Sequence, residues 1–285
     1  MDRRYSLTVA QMSYKIMLLH FYKMNGAGND FVVIDNQQLE LNLTGEQIAA
    51  LCDRHRGVGA DGVLVVEPAE TDADYKFRYY NADGGEAEMC GNGARCFGRF
   101  VAHLGDEVKE SVSFETIAGT LTAEMVGEDV KIMMSDPFDL SKETGCTLEG
   151  LGDVNFINTG VPHAVLKCDD LQGVDVQKYG AEMRYHDAFA PKGTNANFYQ
   201  VVGTSHIAIR TYERGVEGET LACGTGMCAC ALMHHLDVGD PSPIKVDVAG
   251  GDTLSIGFEK SGESFQNVTL SGPADFVFEG DIEIF

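Results

Sequence analysis

Positive charge is scarce in this sequence. Lysine and arginine number 21 against 44 aspartates and glutamates, a formal net charge of −23. A phosphate backbone is gripped by clustered Lys and Arg, so the deficit argues against nucleic acid and against an anionic membrane surface as partners. The excess acid reads as solubility, and a local dipolar site can still take up an anion. Long apolar runs are missing too. None approaches the ~18–20 residues with which a helix spans a bilayer. The N-terminal stretch has apolar residues, but Gln11, Ser13 and Lys15 interrupt it and no small-residue cleavage pattern follows. It reads as a short extension over residues 1–17, not a signal peptide. A reducing, cytoplasmic compartment follows, in which the eight cysteines (52, 90, 96, 146, 168, 223, 228 and 230) are expected as thiols.

Several cofactor signatures are also missing. Cys90 with Cys96, and Cys223 with Cys228 and Cys230, lack Cys-x-x-Cys spacing, so a structural zinc site is poorly supported. No Gly-Lys-Ser/Thr follows either cysteine's glycine turn, which argues against a phosphate loop. No lysine-anchored pyridoxal site stands out. No metal and no cofactor are expected.

What the chain does have is a doubled pattern. "EAEMCGNGARCFG" holds Cys90 before a Gly-x-Gly turn, and "ETLACGTGMCAC" holds Cys223 before another. Glu86 and Glu219 each lie four residues before their cysteine. "FRYYN" ending at Asn81 matches "IRTYE" ending at Glu213, and "GADGVLVV" from Gly59 matches "GTNANFYQVV" from Gly193. "DFVVID" and "HAVLKC" begin 60 residues ahead of the two cysteines, and "AGTL" at Ala118 matches "AGGDTL" at Ala249. Alternating β-branched and aromatic runs predict strands at 30–35, 61–66, 75–80, 111–116 and 119–125. Thr44 with Gln47 forms a capping-box pattern opening a helix to about His55, and a second helix is predicted from about Asn92 to His103. The second half repeats the order, with a strand at 163–168, a helix at about 174–183, strands at 197–202 and 206–212, a helix at about 225–236, and strands near 244–248, 253–258 and 266–271.

The expected fold is α/β (α+β), with two pseudo-symmetric halves from an internal duplication. Each half is a mixed, curled sheet around a central helix, because a helix apolar all round must be buried. The join is expected at 135–145, which carries Pro137. The division is residues 18–135 with a C-terminal strand at about 275–285 in the half carrying Cys90, and 136–274 in the half carrying Cys223.

Equivalent halves would set Cys90 and Cys223 face to face across a cleft, the kind of place where ligands bind. Each would sit at a helix N-terminus, whose free amides and dipole favour negative charge and would lower the thiol pKa toward neutrality. The same amides would hold a carboxylate. Two thiols flanking a carboxylate suit inversion of the adjacent stereocentre, one removing the α-proton and the other returning one to the opposite face. For Cys52, Cys96, Cys146, Cys168, Cys228 and Cys230 the plain reading is packing as small hydrophobes. His163 and His55, taken alone, are ordinary polar residues.

Five stretches carry a resemblance. "KMNGAGNDFVVID", "RHRGVGADGVLVVEP", "YYNADGGEAEMCGNGARC", "NTGVPHAV" and "YERGVEGETLACGTG" occur in order and closely resemble the diaminopimelate epimerases from about Phe21 to the C-terminus. The resemblance implies cofactor-independent interconversion of LL- and meso-diaminopimelate by a cytoplasmic homodimer. It implies Cys90 and Cys223 as the acid–base pair. By the same resemblance, Asn29, Asn81, Asn92, Asn195, Glu213 and Arg214 are expected to line the substrate site, and Gly91, Asn92, Gly224 and Thr225 to hold the α-carboxylate. His163 and Glu213 are expected to tune the thiols. The chain departs from the family at Val161, where many members have Asn, and at Gly62, where some have Gln. Other readings are a two-cysteine racemase of the proline racemase or hydroxyproline epimerase type, a non-catalytic anion- or metal-binding protein, and a redox thiol pair.

Overall fold

The computed structural model describes residues 17–87 and 89–284. The expected extension therefore lies outside the described residues, apart from Met17. In chain order the first elements are β1 (Met17–Gly26), β2 (Asn29–Asp35), α1 (Gly45–Cys52), β3 (Gly62–Glu67), β4 (Tyr75–Asn81), β5 (Glu86–Ala87), α2 (Gly91–Ala102), β6 (Ser111–Thr116), β7 (Gly119–Val126) and β8 (Asp129–Met133). There follow β9 (Phe138–Ser141), β10 (Thr147–Leu148), β11 (Gly152–Asp153), β12 (Asn155–Asn158), β13 (Pro162–Lys167), α3 (Val176–Arg184), a 3₁₀ turn at Asp187–Phe189, β14 (Asn195–Gly203), β15 (His206–Glu213) and β16 (Gly218–Thr220). The chain closes with α4 (Gly224–Val238), β17 (Ile244–Asp247), β18 (Thr253–Ser261), β19 (Ser264–Pro273) and β20 (Asp275–Ile284).

Local chemistry explains the helix boundaries. Thr44 Oγ1 accepts from Gln47 N at 3.2 Å and Gln47 Oε1 accepts from Thr44 N at 2.9 Å. This capping box fixes the start of α1, and such caps contribute about 1 kcal/mol. The helix ends at the Asp53 C-cap, short of His55. In α4, Met227, Leu232 and Met233 are fully buried. Each such side chain stabilises the fold by about 1.5–3 kcal/mol. Gly239, at φ 80°, takes the left-handed position that ends α4.

Backbone pairing makes one continuous 18-stranded sheet. Its order is β20, β1, β2, β3, β4, β6, β7, β8, β19, β18, β17, β15, β14, β13, β12, β9, with β5 and β16 as short additions on β4 and β15. The two parallel pairs of the first half, β2 with β3 and β4 with β6, recur as β13 with β14 and β15 with β17. The sheet wraps α2 with strands from β1 to β8 and α4 with strands from β12 to β19, while α1 and α3 pack on the outside. The curled sheet around a central helix is thus present twice.

Two features join the halves. β8 pairs antiparallel with its counterpart β19, Ile132 opposite Leu270. Each half also sends its last strand to the other. β9 follows β8 yet pairs with β12, and β20 follows β19 yet pairs with β1. Among the described residues no helix is long and apolar enough to cross a membrane.

Candidate active site

The first turns of α2 and α4 meet end to end. A Cβ placed on Gly91 would stand 3.8 Å from Gly224 Cα, and one placed on Gly224 would stand 3.7 Å from Gly91 Cα. Cys90 and Cys223 are the N-caps of these helices, with extended backbones (φ −136° and −121°). Neither side chain caps its helix. Both helix dipoles therefore point their positive ends into one place.

A cleft of about 670 Å³ opens there. Asn29, Asn81, Cys90, Gly91, Asn92, Asn195, Glu213, Arg214, Cys223, Gly224 and Thr225 all line it. His163 does not; it is fully buried behind Thr225, its Nε2 2.9 Å from Thr225 Oγ1. Thr225 Oγ1 lies 3.7 Å from Cys223 Sγ. On the opposite side the Cys90 thiol donates to Asn29 Oδ1 at 3.6 Å.

Burial governs the titrating groups. It pushes the Cys90 thiol up, against the lowering effect of the Gly93 and Asn92 amides. It pushes the Cys223 thiol well above its ordinary value, and the neighbouring Glu213 carboxylate adds to this while Thr225 and the Gly226 amide oppose it. The expectation of thiols brought toward neutrality is thereby corrected. The helix amides are in place, but desolvation outweighs them. Burial also raises the Glu213 carboxyl, which accepts hydrogen bonds from Thr220 Oγ1 at 2.5 Å and from the Cys223 thiol. Burial pushes His163 down to about 3, so its imidazole is neutral.

The asparagines have distinct duties. Asn195 donates to Pro162 O at 3.2 Å and accepts from the Arg214 amide at 2.8 Å, which pins the Glu213–Arg214 corner. Asn92 donates to Asn29 Oδ1 at 3.3 Å and Ala222 O at 3.4 Å, while its buried Oδ1 has no partner among the described residues. Asn81 Oδ1 accepts from the Tyr79 hydroxyl at 2.7 Å.

Tyr79 was not singled out in the sequence. A Cβ at Gly62 would come within 2.7 Å of its ring and 2.6 Å of the Tyr80 carbonyl oxygen, so the tyrosine occupies the space a side chain at 62 would need. Val161 lines the cleft. Arg95 was missed as well. It is fully buried in α2, donates to Pro273 O at 3.3 Å and Gly91 O at 3.4 Å, and leaves Nη2 without a partner among the described residues. Its position four residues after Gly91, within the buried run of α2, is its only signal in the sequence.

Comparison with known proteins accords with this geometry. The family model described as "Diaminopimelate epimerase" matches residues 21–138 and 155–277. A diaminopimelate epimerase of Aquifex aeolicus is 42% identical over 92% of this chain and 97% of its own. One from Chlorobaculum tepidum is 42% identical over 92% of this chain and 100% of its own. Among solved structures, a phenazine biosynthesis protein of Bacillus anthracis superposes with a TM-score of 0.67 at 17% identity, covering 94% of this chain and 100% of its own. A hydroxyproline epimerase of Agrobacterium vitis superposes with a TM-score of 0.65 at 18% identity, covering 93% of this chain and 91% of its own. At such identity the structural likeness is one of fold, whereas the sequence match spans both halves and both cysteine turns. The chain belongs to the diaminopimelate epimerase family.

Proposed function

We propose that this chain is an isomerase that interconverts LL- and meso-2,6-diaminopimelate without a cofactor, Cys90 and Cys223 serving as its two bases. The observation that carries the reading is the meeting of two cysteine-capped helix N-termini across one cleft, Gly91 against Gly224. The amides of Gly91, Asn92, Gly224 and Thr225 hold the α-carboxylate and stabilise charge as the α-proton leaves. One cysteine takes that proton as thiolate. The other, as thiol, returns a proton to the opposite face, so the two exchange states with each turnover and titrate as a pair. In one direction Cys90 is the donor and Cys223 the acceptor. An α-ammonium entering beside the thiols counters the desolvation that raises them, and Asn92 Oδ1, without a partner among the described residues, is an acceptor for it. Asn29, Asn81, Asn195, Glu213 and Arg214 read the distal amino-acid end. Glu213 tunes Cys223 directly, and His163 does so through Thr225.

The halves are residues 18–135 with 275–285, and 136–274. The chain works as a homodimer in the cytoplasm, where both thiols stay reduced. Support for the dimer comes from β20, which pairs only with β1 among the described residues and exposes Phe276, Val277 and Phe278 at 44%, 57% and 50%. Metal-free, reduced protein should form meso-diaminopimelate from the LL isomer and leave L-proline untouched, with activity lost in Cys90→Ala and in Cys223→Ala. Turnover of proline alone, or activity surviving either substitution, contradicts the assignment.

A further inference from the structure

The halves are not equivalent behind their cysteines. Leu64 stands 26 residues before Cys90, and Asn197 stands 26 residues before Cys223. Both pack over the third residue after the cysteine. Leu64 Cδ2 lies 3.2 Å from where a Cβ of Gly93 would be, and Asn197 Oδ1 lies 2.4 Å from where a Cβ of Gly226 would be. The first half fills this place with hydrocarbon, the second with a fully buried amide.

The amide's orientation is forced. Asn197 Nδ2 lies 2.9 Å from Ala164 O, which can only accept, and 3.0 Å from His163 Nδ1. Its Oδ1 accepts from Thr211 Oγ1 at 3.1 Å. Turning the amide over would set oxygen against oxygen. Both Nδ2 hydrogens are therefore committed, one to Ala164 O and one to His163, so His163 Nδ1 is the acceptor and carries no proton. The ring's hydrogen is then on Nε2, which donates to Thr225 Oγ1 at 2.9 Å. Thr225 keeps its own hydrogen free for Cys223 Sγ at 3.7 Å.

We propose that Asn197 is a positioning residue, locking His163 as the neutral Nε2–H tautomer so that the Thr225 hydroxyl donates to the Cys223 thiolate. The relay runs one way, from Asn197 through His163 and Thr225 to sulfur. Cys223 needs such a donor because the Glu213 carboxylate and Cys90 both face it and disfavour its ionised form. Arg214, the charged group facing His163, further disfavours an imidazolium. Cys90 differs here: its side-chain neighbour Asn29 Oδ1 accepts from the thiol and favours the neutral form. The inference rests on the two-thiol reading above.

Nitrogen-15 NMR of histidine-labelled wild-type protein tests it without turnover. His163 should be neutral with its proton on Nε2 from pH 6 to 9. Alkylation of each cysteine by iodoacetamide, followed peptide by peptide against pH, supplies the second readout. Asn197→Leu and Thr225→Val should slow Cys223 alkylation about tenfold at fixed pH, one unit of pKa, and leave Cys90 unchanged. Thr225→Ser should restore the wild-type rate. A proton on Nδ1, an imidazolium, or an Asn197→Leu protein that loses melting temperature but alkylates at Cys223 like the wild type would overturn the proposal. Neither readout involves diaminopimelate, so failure here and failure of the epimerase reading are separate results.

Discussion

Tyr79 and Gly62 show how one residue's absence sets another's duty. The missing side chain at 62 lets the Tyr79 ring pack over the glycine and bring its hydroxyl to Asn81 in the cleft. Burial raises that phenol far above its ordinary value, so it acts only as a hydrogen-bonding group. Tyr79→Phe removes one neutral hydrogen bond, and KM for diaminopimelate is predicted to rise about 2–10-fold with kcat held, the equivalent of about 0.5–1.5 kcal/mol. A fall in kcat at constant KM contradicts a binding role. Gly62→Gln is predicted to destabilise the protein, read as a lower urea midpoint, because the longer side chain must displace Tyr79. The cysteines and their glycine turns were legible in the sequence because the turns and offsets repeat, whereas the asparagines of the cleft were expected only from the family resemblance of the motifs that carry them. Tyr79, Arg95 and Asn197 were not, because each sits in a run that reads as plain strand or helix. Their duties depend on what packs opposite them, and a strand's own pattern does not contain that.

At the scale of elements, α2 and α4 begin with a residue that is poor for the task. Ser, Thr, Asp and Asn are the good N-caps, yet cysteine occupies both positions and makes no cap bond. Cys90→Ser and Cys223→Ser are each predicted to raise the melting temperature by about 2–4 °C, for up to about 1 kcal/mol of capping. Epimerisation should fall about 10²–10⁴-fold, the usual worth of a positioned acid or base. Lower stability in both variants would contradict this reading of the caps. The helices were legible because a Gly-x-Gly turn leads into apolar residues. β9 was not, since Phe138, Asp139 and Leu140 are all exposed and leave no alternation to read. β1 was obscured by the mixed N-terminal stretch. β8 is short, and of its two partners, β7 and β19, the second lies more than a hundred residues away in the chain. β20 pairs remotely with β1, and β9 reaches β12 past the β10–β11 pair, and local periodicity records neither, although a C-terminal strand belonging with the first half was expected.

At the scale of the whole molecule, two near-copies share one core and one cleft but differ in what stands behind each sulfur. The core also stores thiols in protonated form. Burial pushes Cys96 and Cys228 up to about 12. In the unfolded chain they ionise near the ordinary value, while in the folded chain they remain protonated. Stability is therefore full below pH 9 and falls as pH rises from there toward 12, by about 1.4 kcal/mol per thiol per pH unit. Urea midpoints under reductant should drop between pH 9 and 10.5 and drop less in Cys228→Ala; a flat profile contradicts the sign. The central claim, that two bases work on opposite faces of one carbon, is tested most directly by a single turnover in D₂O. LL-diaminopimelate mixed with excess reduced protein and quenched early should give meso product fully deuterated at the inverted carbon, with no deuterium in the remaining LL substrate. Original hydrogen returning to the inverted carbon would mean that one base serves both faces, and the paired-cysteine mechanism would be wrong.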